Sequence, residues 1–236
     1  FANKSTNYQD TSVLYDNVVM RLVTDEPGED VLPSRASFEF STDFESGDAS
    51  ASTVGGDWLV YVNVFDSSGG YVYGYGPNAA PNGTGTISDL TTGEAGVAQG
   101  VQYLSFYSDY ANGDHGNGRT LDTSVFKEYV IQSSDTGSYR FSFDVKRPAE
   151  GGLILPTTAE GFIKRLDPAA GYATTYLGRT EISEVSTSEW VTVTIDFEVD
   201  GSSQEGQILQ FGFSNVAANY DPSGIYVDNV SVQRNQ

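Results

Sequence analysis

The dominant rhythm of the chain is alternation of apolar and polar residues. In "WVTVTIDFEV", Val191, Val193, Ile195, Phe197 and Val199 fall on one face and Thr192, Thr194, Asp196 and Glu198 on the other, the pattern of a half-buried strand. "SYRFSFDVKR" repeats it with Tyr139, Phe141, Phe143 and Val145 inward. "DWLVYVNVF", in which Tyr61 and Asn63 oppose the Trp58, Val60 and Val62 face, joins "VQYLSFY", "GFIKRL" and "QILQFGF" as further strands, about a dozen in all. Between them lie "DSSGG", "PNAAPNGTG", "NGDHGNG" and "DGSSQEG", whose Gly and Asn residues tolerate positive φ and mark turns or loops. No stretch of helical length carries a 3.6-residue period. The prediction is an all-β fold, an antiparallel β-sandwich of jelly-roll or Greek-key type.

One segment breaks the rhythm. "TDEPGEDVLPSR", residues 24–35, is rich in proline and acid and reads as a linker. Residues 36–236 have the size of one sandwich module, whereas residues 1–23 are too short to fold alone. Residues 7–20, "NYQDTSVLYDNVVM", nevertheless match residues 219–232, "NYDPSGIYVDNVSV", without a gap at Asn-Tyr and at Asp-Asn-Val. In both, the alternation slips by one residue at the Asp-Asn pair. Val13 and Tyr15 give way to Val18 and Met20, as Ile225 and Val227 give way to Val230 and Val232. Such a slip predicts a β-bulge. Residues 1–23 are therefore expected to be the closing strand of an upstream tandem copy, or an extra edge strand on this module or a neighbouring chain.

Charge narrows the partners. Twelve Lys and Arg stand against 32 Asp and Glu, a formal charge of −20 spread along the chain. That field repels nucleic acid and anionic membranes, and no apolar run approaches the roughly 20 residues that cross a bilayer. Neither nucleic acid nor membrane insertion is expected. A solvated acidic surface suits a salty or extracellular medium, so a secreted or cell-surface location is expected, and a start at Phe1 reads as a mature or excised piece. With no cysteine there is no disulfide framework and no thiolate metal site.

"STDFESGD" (41–48) and "GIYVDNVSV" (224–232) resemble the opening and closing elements of the jelly-roll carbohydrate-binding modules of families four, sixteen and twenty-two. Phe44-Glu45-Ser46-Gly47 matches the opening Phe-Glu-x-Gly element, and Ile225 to Val230 the closing strand. "FKEYVIQSSDTGSYRFSFDVK" (126–146) is similar to the central strand, Gly turn and strand. The resemblance covers about residues 36–234 and implies sugar binding without catalysis. It also implies a structural calcium between the opening Glu and the closing Asp. Carried over, the ligands are Glu45 and Asp228, with Asp43, Asp48 and the Gly47 carbonyl. A carboxylate re-aimed by a bulge beside an acidic turn does suit a hard, oxygen-loving cation. Equally, Asp228 and Asn229 could serve the bulge alone and Asp43 an Asx-turn.

Sugars offer C–H faces to aromatic rings and hydroxyls to planar polar groups. The chain has 15 Tyr and 2 Trp. Tyr71, Tyr73 and Tyr75 of "YVYGYG", Tyr107 and Tyr110 of "FYSDY", and outward Tyr61 are the candidate stacking residues for a polysaccharide or oligosaccharide. Five of the 12 cations, Arg140, Lys146, Arg147, Lys164 and Arg165, sit in a short span. They form either a basic patch for uronic or sulfated glycans, with Arg140 and Lys164 as contacts, or salt bridges. His115, the single histidine, is read as part of a surface loop. Asp109, Asn112, Asp114 and Asn117 beside it lack the Gly and distal Glu of a calcium loop. "DFEVD" sets Asp196, Glu198 and Asp200 at i, i+2, i+4, either as a glycosidase-like acid set or as a solvated strand face. "GRTEISE" resembles the Arg-x-Glu strand of jelly-roll alginate lyases, whose accompanying Gln-Ile/Val-His and Tyr-Phe-Lys elements are absent. The leading expectation is a non-catalytic polysaccharide-binding module from a bacterial secreted protein. A calcium-stiffened repeat of a surface adhesin is the alternative, and a jelly-roll glycoside hydrolase follows.

Overall fold

A computed structural model describes residues 38–48, 54, 56–76, 88–108, 113–218, 220 and 222–235. The opening segment and linker, residues 1–35, lie outside them, as do Asp109, Tyr110 and Asn112. Among the described residues there are twelve strands: β1 (Phe40–Thr42), β2 (Leu59–Phe65), β3 (Tyr71–Tyr75), β4 (Ser88–Thr92), β5 (Gln102–Phe106), β6 (Thr120–Val130), β7 (Gly137–Lys146), β8 (Thr158–Asp167), β9 (Ala173–Glu181), β10 (Val191–Val199), β11 (Ile208–Ala217) and β12 (Ile225–Arg234).

Period-two sequences bury one face, so they form sheets that must stack. One sheet runs β10-β7-β12-β5-β4 with β1 also pairing β12, and the other runs β3-β2-β6-β11-β8-β9. All these pairings are antiparallel, and the two sheets make the jelly-roll sandwich. Phe141 and Phe143 of β7 meet Phe211 and Phe213 of β11 across the interior, Phe143 edge-on to Phe213 at 4.9 Å between centroids. Each such ring, removed from water, contributes about 1.5–3 kcal/mol. Trp58 closes the core beside Phe40, Phe44 and Phe213.

The slip at Asp228-Asn229 is a bulge. β12 pairs with β7 in one register up to Asp228 opposite Asp144, then shifts before Ser231. Asn229 turns left-handed, φ 47°, a conformation Asn tolerates better than most residues. Ile225, Val227, Val230 and Val232 are all fully buried, so the extra residue keeps both halves of the strand facing the core.

"YVYGYG" forms the edge strand β3. Three local readings change. Val191, at the start of β10, stays 41% exposed. His115 is buried in a 3₁₀ turn, its Nε2 3.3 Å from Ser108 Oγ and its ring against Tyr220. Finally, "DGSSQ" is a short helical turn, α1 (Gly201–Gln204), capped by Asp200 through Ser202 N–H.

Candidate functional site

The face of the second sheet turned away from the core carries a cleft. Register decides which residues share it, because paired residues in adjacent antiparallel strands point the same way. One row reads Tyr61, Ser124, Ser214, Glu160, Glu181 across five strands. A neighbouring row reads Leu59, Phe126, Gly212, Phe162, Arg179, and the next Glu128, Gln210, Lys164, Tyr176. On the other side lie Asn63, Asp122, Val216 and Thr158. The cleft among them is lined chiefly by Asp122, Glu160, Phe162, Lys164, Tyr176 and Arg179.

Two backbone irregularities shape it. Ile163 pairs with Gly178 but Lys164 with Tyr176, so Leu177 is the extra residue of a bulge in β9. Tyr176 and Arg179, three positions apart, would face opposite sides of a regular strand, and the bulge puts both on the cleft. Gly212, mid-β11, permits the close approach of β6: a Cβ there would lie 2.2 Å from the Val125 carbonyl oxygen and 2.6 Å from Phe126 Cα.

Phe162 is the floor. It is buried although it faces away from the core, and Lys164 Nζ lies 4.6 Å above its ring. Tyr176 is 47% exposed with the Arg179 guanidinium 5.2 Å from its ring centre. Arg179 also stands 3.9 Å from Glu160. Burial pushes the Asp122 carboxyl up, opposed by Lys164. Burial does the same at Glu160, where Asp122 and Glu181 add to it and Arg179 opposes it. The Lys164 amine is pushed down by burial against the pull of Asp122, Glu160 and Glu128. Asp122 Oδ1 is buried with no hydrogen-bond partner among the described residues. A flat ring, a guanidinium and carboxylates around a shallow trough are what recognition of a hydroxylated ring requires.

Solved structures of similar fold include jelly-roll carbohydrate-binding modules. A family 22 xylan-binding domain from Paenibacillus barcinonensis is 14% identical with a TM-score of 0.48, over 83% of this chain and 99% of that one. A family 61 module, TmCBM61, solved with β-1,4-galactotriose, is 14% identical with a TM-score of 0.42, over 81% and 94%. A cyclase from Fischerella sp. TAU is 15% identical with a TM-score of 0.43, over 75% and 84%. No family model and no curated protein matches the chain.

Of the sugar-binding candidates, Lys164 lines the cleft and Tyr61 extends its face, leaning over Gly74 of β3. Tyr73 and Tyr75 turn the other way and pack on Val62, Val64 and Leu121, Tyr73 donating its hydroxyl to Asp114. Tyr107 is half-buried just after β5. Arg140 is on the first sheet in a two-pronged pair with Asp196, 2.8 and 2.9 Å. Arg140 and Lys164 thus share no surface, and the basic span is not one patch. Asp114 holds Arg119 at 2.8 Å. The remaining acids of "DFEVD" are also engaged, Glu198 by Ser138 and Asp200 by the cap.

The suggested calcium ligands gather where β1 meets β12. Asp228 is fully buried: Oδ1 accepts the Asn229 N–H at 2.7 Å, while Oδ2 has no hydrogen-bond partner among the described residues. Burial, then Asp144, Asp43 and Glu45, push its carboxyl up to about 7. Asp43 forms an Asx-turn with Glu45 N–H, and Glu45 Oε1 accepts the Val101 and Gln102 amides at 2.6 and 2.9 Å. The Phe44 and Gly47 carbonyls both accept from Gln102 Nε2, and Asp48 is exposed beyond them. Among the described residues no three acidic or histidine side chains form a metal-binding group. A cation here would therefore combine Asp228 with carbonyl oxygens, a donor set that fits calcium.

Proposed function

We propose that the chain is a non-catalytic carbohydrate-binding module whose ligand lies in the cleft of the second sheet. The observation that carries this reading is the half-exposed Tyr176 ring held beside Arg179 in a cleft that the buried Phe162 also lines. A calcium held by Asp228 and carbonyl oxygens such as that of Gly47, in the negative field of Asp43 and Glu45, would fix the junction of the first and last strands. The ion would contribute charge neutralisation and rigidity and take no part in binding sugar. This reading is also compatible with a secreted or cell-surface setting.

Stacking one tyrosine face on a pyranose buries on the order of 50–100 Å², about 1–2.5 kcal/mol at 25 cal/mol/Å². Tyr176→Ala is therefore expected to weaken glycan binding about fivefold to seventyfold, measured by affinity gel or titration against a panel of polysaccharides. Unchanged affinity in Tyr176→Ala would place the ligand elsewhere. Reducing-end release by the unmodified protein would replace the binding reading with a hydrolytic one.

A further inference from the structure

The charges of the cleft do not match a generic sugar. Asp122, Glu160 and Glu181 line it on three strands against Lys164 and Arg179. Arg179 is committed to Glu160 and the Tyr176 ring, and Lys164 Nζ to the Phe162 face. Asp122 is left with a buried oxygen that receives no donor from the described residues. Leaving a carboxylate oxygen unmatched is costly, so a ligand that brings a donor to it gains more than one that does not. A sugar hydroxyl brings one proton and no charge, an ammonium brings three and a full positive charge, and the carboxylate of a uronate brings none and adds repulsion. The whole-chain charge of −20 favours approach of a cation in the same sense.

We propose that the cleft selects a glycan bearing free amino groups, with Asp122 accepting from the ammonium and Tyr176 stacking on the sugar ring. This rests on the glycan-binding reading and assigns its chemical class. A polyuronate is excluded by the same three carboxylates, and an N-acetylated sugar loses the charge that Asp122 answers.

Isothermal titration at physiological salt tests it, using a glucosamine oligomer with free amines, its N-acetylated counterpart, a neutral oligomer and a uronate oligomer. The full chain, Asp122→Asn and Glu205→Gln are compared. Glu205 is exposed, so its substitution removes the same unit of charge away from the cleft. The free-amine oligomer is expected to bind about tenfold or more tighter than the N-acetylated one. Asp122→Asn should erase that preference and Glu205→Gln retain it. Equal affinity for the amine and acetyl forms, tighter binding of the neutral or uronate oligomer, or equal loss in Glu205→Gln would overturn the assignment while leaving sugar binding intact. Failure of every oligomer to bind would overturn the binding reading and this inference with it. The amine-to-acetyl comparison on the unmodified chain decides the matter even where Asp122→Asn does not fold.

Discussion

Replacing Asp228 with Asn keeps its shape and removes its charge, in a place where that charge is costly. In the folded chain the carboxyl titrates at about 7 against an ordinary 3.8, so the native state holds a proton that the unfolded chain releases. Below about pH 3 both states are protonated and there is no penalty. As pH rises through that window the unfolded state ionises first, and native stability falls by about 2 kcal/mol at pH 5 and about 4 kcal/mol by pH 8. Without calcium, Asp228→Asn should therefore have a flatter pH profile and melt higher than the parent at pH 8, by about 10 °C for that free energy in a chain of this size. Calcium should narrow that gap: bound at the proposed site it would hold the ionised carboxylate and add about 2.7 kcal/mol at a hundred times its Kd, to the parent and not to the variant. Thermal melts from pH 4 to 9, in chelator and in excess calcium, read both effects. Parallel pH profiles would refute the burial argument, and an equal calcium response in both proteins would remove Asp228 from the ligand set.

Gly212→Ala puts a methyl group 2.2 Å from the Val125 carbonyl oxygen, a backbone clash that no side-chain rotation relieves. Denaturant unfolding should show a loss of about 1–3 kcal/mol or more, with weaker glycan binding because Phe126 and Phe162 flank the same position. Tyr73→Phe removes a donor from Asp114, which keeps Arg119. Stability should drop by about 1 kcal/mol with glycan affinity unchanged, and a clear loss of affinity would restore the β3 tyrosines as ligand contacts.

The strands were legible because burial on one side of a pleated strand forces a period of two. Tyr139, Phe141, Phe143 and Val145 point inward as their alternation requires. The bulge at Asp228 was legible for the same reason, since a slip between two apolar runs has one solution that keeps both runs buried. The cleft was not. Its lining comes from β6, β8, β9 and β11, distant stretches joined by register, and counting parity along "GYATTYLGRTE" sets Tyr176 and Arg179 on opposite faces. The one available signal was Phe162, an aromatic residue at the parity of Glu160 and Lys164.

Local sequence determined that this chain makes half-buried strands, where the long core strands run and where the last one bulges, because those follow from periodicity and turn chemistry within a few residues. Tertiary structure decided that Tyr61 faces the cleft side while Tyr73 and Tyr75 turn inward, that Arg140 and Lys164 part to different sheets, and that one oxygen of Asp122 and the whole of Asp228 are held out of water. Each of those outcomes depends on which strands become neighbours and on one extra residue in β9. The physical reason is that a side chain's face is set by its own strand, whereas its partners and its dielectric surroundings are set by the strands beside it.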